Sequence, residues 1–77
     1  MPHIPPPKQG LKAFPEAQRV KPKSQGQRWE DGQYIYEWDY QHGRVEKWTK
    51  RGQHLGDFDP ETGVKVGEPR DDRTIDL

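Results

Sequence analysis

Residues 33–49 read QYIYEWDYQHGRVEKWT, two runs of alternating side chains separated by a turn. In the first run, tyrosine and tryptophan occupy every second position, and alternate residues of a strand point to the same face. Residues 40–43 end in Gly43, which suits the positive φ of a tight turn. Residues 44–49 then form the return strand. The stretch therefore predicts an antiparallel hairpin with one apolar and one polar face.

The flanking sequence extends this hairpin in both directions. Residues 53–58 predict a third strand, DPETG at 59–63 predicts a turn, and residues 64–66 predict a fourth strand. Residues 14–20 are expected to form one or two helical turns, with Pro15 near the first helical position. The predicted fold class is α+β, mainly β: a short N-terminal helix followed by a highly twisted antiparallel meander of four to five strands.

The composition limits the chain to one small domain. Only 27% of its 77 residues are hydrophobic, so three Trp, three Tyr and two Phe must supply most of the core. Residues 1–13, rich in proline and lysine, are expected to be a linker, and residues 14–77 the folded domain with its sheet core at 29–67. No apolar run is long enough for a signal peptide or a membrane span.

The charges are unevenly distributed although the net charge is zero. Residues 1–28 carry six of the 13 basic residues and one of the 13 acidic residues, so this arm has a net charge of +5 and the remainder −5. A basic arm can contact phosphates, but lysine-rich linkers have the same composition. Both interpretations remain open at this stage. Lys21 and Lys23 are the candidate phosphate contacts in this arm.

The polar face of the hairpin gathers groups that could carry chemistry. If residues 40–43 form a four-residue turn, Asp39 faces Arg44 and Glu37 faces Glu46. Metal-free RNA cleavage needs a general base for the ribose 2′-hydroxyl, a general acid for the leaving 5′-oxygen, and a cation for the phosphoryl oxygens. The alternative is an ordinary solvated face, since exposed sides of antiparallel sheets are normally polar.

Histidine is the remaining source of acid–base chemistry. His42 lies at the tip of the hairpin, beside the carboxylates, whereas His54 on the third strand is expected to pack or to form hydrogen bonds. With no cysteine and three histidines, the sequence supplies a zinc site poorly. We therefore expect neither a metal nor a cofactor.

The hairpin resembles a known family of toxins. IYEWD at 35–39, followed by QHG at 41–43 and by Glu46, resembles the active hairpin of the ribosome-inactivating nuclease colicins and cloacin. The later run GQHLG at 52–56, and FDP and TG within 58–63, are similar to the same domain. The resemblance covers residues 29–63 well and the C-terminal tail loosely.

This resemblance implies a metal-independent endoribonuclease toxin that cuts 16S ribosomal RNA at the decoding site and leaves a 2′,3′-cyclic phosphate. The family's catalytic aspartate, histidine and glutamate fall on Asp39, His42 and Glu46. Its catalytic arginine matches Arg73 best, with Arg70 as a rival. We expect Glu46 to be the base and His42 the acid, although the sequence also permits the reverse.

The resemblance also implies partners: the ribosome, an immunity protein, and delivery domains or a receptor on a parent chain. Secretion or surface delivery by the producer would precede action in the target-cell cytoplasm. The colicin domains are markedly basic, whereas this chain is neutral, which predicts weak affinity for naked RNA. The alternative function is a non-catalytic RNA- or protein-binding β-domain. The residues expected to contact RNA are Tyr40, Arg44, Trp48, Lys21 and Lys23.

Overall fold

One antiparallel sheet organises the chain. The computed structural model describes residues 3–23 and 26–77. Its six strands lie in the sheet in the order in which they follow one another in the chain, so each strand pairs with its predecessor. The strands are β1 (Gln18–Val20), β2 (Arg28–Glu30), β3 (Tyr34–Asp39), β4 (Arg44–Thr49), β5 (His54–Phe58) and β6 (Lys65–Gly67).

The predicted α+β class is wrong, because the described residues contain six strands and no helix. In place of the expected helix over 14–20, Phe14 N–H donates to the Leu11 carbonyl and Ala17 N–H donates to the Phe14 carbonyl, both at 3.0 Å. These are two tight turns, and β1 begins directly after them. A seven-residue segment is too short to hold a helix by itself, and pairing with β2 satisfies its backbone instead. None of the described residues belongs to a helix that could cross a membrane.

The central hairpin is confirmed. β3 and β4 pair in the predicted register, with Asp39 opposite Arg44 and Glu37 opposite Glu46. Gly43 has a φ of 68°, the positive value that the turn was expected to need. The four polar residues therefore share one face of the sheet, and the apolar core lies on the other face.

The N-terminal segment covers the apolar face. Ile4 N–H donates to the Tyr40 carbonyl at 2.8 Å, and the Trp38 indole N–H donates to the Ile4 carbonyl at 2.8 Å. The boundary of the linker at residue 13 stays a prediction, and its residues 1 and 2 lie outside the described part of the chain. This segment also supplies one residue, Leu11, to the buried core cluster, whose other members are Trp29, Tyr36, Trp38 and Val45.

The partly buried ammonium group of Lys47 lies among aromatic rings of the N-terminal segment and the sheet. The Nζ atom of Lys47 lies 4.1 Å from the ring centroid of Tyr34 and within 6 Å of three more rings. Cation–π attraction is stronger where water is partly excluded. The further rings, at 5.2, 5.2 and 5.9 Å, belong to Phe14, Phe58 and Tyr36.

This cage predicts a measurable loss of stability. Replacing Lys47 by methionine keeps most of the apolar contact but removes the charge, so the free energy of unfolding should fall by about 1 kcal/mol. Urea denaturation measures this change. The matched control is Lys50→Met, because Lys50 forms an exposed ion pair with Glu30 at 2.9 Å that should contribute little. Equal losses in the two variants would contradict a role for the rings.

Candidate active site

A cleft opens where the β3–β4 turn meets the C-terminal tail. Its volume is about 360 Å³. The four residues predicted to be catalytic, Asp39, His42, Glu46 and Arg73, all line it, so the fold brings together positions up to 34 residues apart. The remaining lining residues are Gly26, Trp38, Tyr40 and Gln41.

Asp39 orients His42. The Oδ2 atom of Asp39 lies 2.8 Å from Nδ1 of His42, while its Oδ1 atom accepts the backbone N–H groups of Gln41 and His42 at 2.9 and 3.3 Å. Partial burial opposes the charge on Asp39, but these hydrogen bonds outweigh it and hold the pKa of this carboxyl below its usual value. The His42 side chain is 54% exposed, so a substrate can reach the imidazole.

A row of charged groups crosses the sheet beside the cleft. Arg28, Glu37, Glu46 and Asp57 are paired in register from β2 to β5 and share the polar face. The fully buried Arg28 donates from Nη2 to Oε2 of Glu37 at 3.0 Å. Arg73 of the tail forms an ion pair with Oε1 of Glu46. Two arginines thus compensate three neighbouring carboxylates.

Glu46 is largely buried and is surrounded by other carboxylates. Its side chain is only 12% exposed. Burial raises the pKa of Glu46; Arg73 opposes this effect, while the negative charges of Asp57, Asp39 and Glu37 reinforce it. A carboxylate with a raised pKa is a stronger base, which suits the removal of a proton from a hydroxyl group.

A β-bulge brings a further residue to this face. Lys47 pairs with Gly56, but the next residue of β4, Trp48, pairs with His54, so Leu55 has no partner on β4. Regular alternation would place His54 and Asp57 on opposite faces of β5. The extra residue reverses the direction of His54, which therefore points to the same side as Glu46 and Asp57.

His54 lies between two carboxylates. Its Nε2 atom is 3.3 Å from Oε1 of Glu46 and 3.5 Å from Oδ1 of Asp57, and its side chain is 1% exposed. Its Nδ1 atom accepts the backbone N–H of Arg70 at 3.0 Å. Burial lowers the pKa of His54, although the charge of Asp57 opposes this shift. The expectation that His54 forms hydrogen bonds is confirmed.

These contacts bear on whether the cluster could hold a metal ion. One potential ligand atom from each of Glu46, His54 and Asp57 lies within 4.8 Å of the others. However, an imidazole nitrogen that accepts an N–H cannot itself carry a proton, so the proton of His54 is on Nε2. A donor, rather than a lone pair, faces the two carboxylates. The chemistry of this cluster therefore fits an imidazole N–H that faces two carboxylates better than a metal site.

The two candidate arginines of the tail differ in position. Arg73 contacts Glu46 inside the cleft. The Arg70 side chain points to a surface carboxylate instead, donating to Asp72 at 3.1 and 2.9 Å from an exposed position. The geometry favours Arg73 as the cation of the site, and Arg70 contributes through its backbone N–H.

The two aromatic residues expected to stack on RNA bases are more buried than the sequence indicated. Trp48 is 1% exposed, and this burial argues against a stacking role. Tyr40 lines the cleft, but one side of its ring stacks on His3 with the centroids 4.8 Å apart, and its hydroxyl accepts the Gln27 N–H at 3.3 Å. The side of the Tyr40 ring that His3 covers is therefore not available for stacking on a base.

The basic residues expected to contact RNA lie nearer the surface. Lys21 and Lys23 are exposed, and Lys23 donates from Nζ to the Leu77 carbonyl. Arg44 is half-buried opposite Asp39, at the start of β4. The RNA contacts of these three residues stay predictions.

Three residues of the site were not singled out as neighbours by the sequence: Arg28, His54 and Asp57. Arg28 was counted only as part of a basic arm, and nothing in its local sequence indicates that it is fully buried. A signal for His54 did exist in Gly56, since glycine inside a strand often marks a bulge. Gly56 has a φ of 123°, which L side chains rarely adopt.

Comparison with known proteins adds an independent observation. A family model described as "Cytotoxic" matches residues 4–76. Colicin-E6 and cloacin, both of Escherichia coli, are each 39% identical over 95% of the chain, which covers 15% of either protein. Colicin E3 of Escherichia coli is 46% identical over 70% of the chain and 11% of its own length. The chain thus spans less than a sixth of these curated relatives.

Proposed function

The chain belongs to the Cytotoxic family, and we propose that it is the ribonuclease domain of a bacteriocin-type toxin. Its substrate is the 16S RNA of the small ribosomal subunit, cut at the decoding site, and cleavage stops translation. No metal takes part in the reaction. One observation carries the proposal: an imidazole, a buried carboxylate and a guanidinium line a single cleft.

The reaction is a transesterification within the RNA strand. Glu46 accepts the proton of a ribose 2′-hydroxyl, and the oxygen attacks the adjacent phosphorus. The bond between phosphorus and the 5′-oxygen breaks while His42 donates a proton to that oxygen. The products are a 2′,3′-cyclic phosphate and a 5′-hydroxyl. Arg73 stabilises the negative charge that develops on the phosphoryl oxygens.

The environments of the two groups support this division of roles. Burial raises the pKa of Glu46, which makes it the stronger base of the two carboxylates in the cleft. Asp39 contacts His42 at Nδ1, which fixes the ring and leaves Nε2 to exchange a proton with the leaving oxygen. Asp39 is therefore an orienting residue rather than a base.

The role of Arg73 gives a test that separates it from Arg70. Arg73→Ala should lower the cleavage rate roughly 10²- to 10³-fold, as for the loss of one group that stabilises transition-state charge. Arg70→Ala should leave the rate within about twofold, because the Arg70 side chain is exposed and its backbone N–H is retained. Single-turnover cleavage of ribosomes measures both rates. A large loss in Arg70→Ala alone would reverse the assignment.

The charge distribution bears on how the substrate is bound. The chain has no net charge, so attraction to phosphates contributes less than in a basic nuclease. We propose that the assembled ribosome, rather than naked RNA, is the substrate, and that the basic arm with Lys21 and Lys23 contacts its phosphates. A cognate immunity protein would protect the producing cell. Other segments of a longer toxin would deliver the domain to the cytoplasm of the target cell.

Incubation with intact 70S ribosomes in EDTA tests the proposal. We expect one discrete fragment from the 3′ end of 16S RNA on a denaturing gel. Intact RNA together with ribosome binding would instead support a non-catalytic module. Cleavage that appears only after a divalent metal is added would contradict the mechanism.

A further inference from the structure

We propose that His54 is a positioning residue for Glu46: its Nε2–H group lies between Glu46 and Asp57 and keeps the base ionised and correctly oriented. The inference rests on the proposed function for its catalytic meaning. The effect of His54 on the ionisation of Glu46 is a property of the free protein. It can therefore be tested even if no RNA is cleaved.

The backbone of Arg70 determines which nitrogen of His54 carries the proton. The backbone N–H of Arg70 donates to Nδ1 of His54 at 3.0 Å, so Nδ1 carries no proton and a neutral ring must hold its proton on Nε2. Nε2 is buried and forms no hydrogen bond of regular geometry among the described residues. The nearest acceptors are the carboxylate oxygens of Glu46 and Asp57, at 3.3 and 3.5 Å. The N–H is thus directed between two negative groups.

Packing and backbone geometry restrict the orientation of the His54 ring. The His54 side chain is 1% exposed and its ring packs edge-on against Trp48, with the centroids 4.8 Å apart. The bulge between Lys47 and Trp48 fixes the direction of the residue from the backbone. The Trp48 ring, the bulge and the Arg70 N–H together leave the His54 ring little freedom to turn. Its Nε2–H can therefore orient a carboxylate.

Most of the charged groups that face Glu46 are negative. Glu46 is faced by Glu37 and Asp39 from β3, by Asp57 from β5 and by Arg73 from the tail. Arg73 and the Nε2–H of His54 favour the ionised form of Glu46, and Arg73 must also serve the phosphate during the reaction. If the N–H were lost, the negative charges of Glu46 and Asp57 would repel each other with no donor between them. Glu46 would then keep its proton to higher pH and act less often as a base.

Three variants in the free protein test this inference, with carbon-13 NMR of the Glu46 carboxyl as the readout. His54→Phe removes the donor but keeps an aromatic ring against Trp48, so the Glu46 titration should move to higher pH. His54→Gln places an amide N–H near the position of Nε2 and should restore much of the wild-type titration. Asp57→Asn removes a like charge and should move the titration to lower pH.

The nitrogen-15 spectrum of wild-type His54 provides a check that requires no substitution. We expect the neutral form with its proton on Nε2. A proton on Nδ1 would overturn the inference, and this result holds even if His54→Phe fails to fold. A Glu46 titration that moves in Asp57→Asn but stays in place in His54→Phe would overturn it too.

Cleavage of ribosomes provides the catalytic readout. The His54→Phe rate should fall further below wild type at pH 5.5 than at pH 8, by up to about tenfold for each pH unit by which the Glu46 titration moves upward, because less of the base is then ionised at the lower pH. A uniform loss at both pH values would indicate a structural role only and would contradict the inference. If wild type cleaves nothing while the NMR titrations move as expected, the proposed function fails but the positioning of Glu46 stands.

Discussion

Replacing Glu46 by glutamine is expected to reduce cleavage of ribosomal RNA by roughly 10²- to 10⁴-fold, the usual contribution of a general base. Glutamine has nearly the same shape as glutamate, but its amide cannot accept the 2′-hydroxyl proton. The fold should survive, since burial raises the pKa of Glu46 and the charged side chain therefore does not favour the folded state at neutral pH. The melting temperature should change by less than about 4 °C.

The matched control for this variant is Glu30→Gln. Glu30 is also a strand glutamate with a cationic partner, Lys50 at 2.9 Å, but it does not line the cleft. Its substitution should leave cleavage within about twofold of wild type. If a folded Glu46→Gln protein cleaved RNA at the wild-type rate, Glu46 would not be the general base.

Replacing His42 by alanine is the second substitution with a large expected effect. It removes the proposed general acid, and cleavage should fall by roughly 10²- to 10⁴-fold. Because the His42 side chain is 54% exposed, its removal should cost little stability, which circular dichroism and thermal melting will show. Asp39→Asn should also lower the cleavage rate, because it removes the charge beside His42. The turn should be retained, since Oδ1 of the asparagine can still accept the N–H groups of Gln41 and His42.

His3→Ala is the control for the loss of an imidazole. His3 stacks on Tyr40 close to the same cleft, but the proposed chemistry gives it no proton to transfer. We expect a small change in cleavage. If His3→Ala were as damaging as His42→Ala, the acid would have been assigned to the wrong histidine.

The sequence predicted the central hairpin well because its signals are local. Alternation over 34–38 and a glycine at the end of the turn determine which residues share a face and which face each other. That register placed Glu37 opposite Glu46 and Asp39 opposite Arg44, as the structure has them. The helix over 14–20 was wrong because propensity is a weak guide where a sheet edge is available for pairing.

The site was less predictable, because part of it depends on contacts distant in sequence. Arg73 lies 27 residues beyond Glu46 in a tail without periodicity, and only the resemblance to a family indicated it. The contact of His54 with Glu46 was not predicted, because it depends on one unpaired residue, Leu55, that reverses strand alternation. The burial of Arg28 follows from packing in three dimensions, which no local pattern encodes.

The chemistry of the cut ends tests the central claim most directly. After incubation of 70S ribosomes with the protein in EDTA, mass spectrometry of the new RNA termini identifies the groups at the break. Attack by the 2′-hydroxyl, with Glu46 and His42 as base and acid, predicts a 2′,3′-cyclic phosphate on one fragment and a 5′-hydroxyl on the other. A 3′-hydroxyl with a 5′-phosphate would mean that water attacked the phosphorus, and the account given for this cleft would be contradicted.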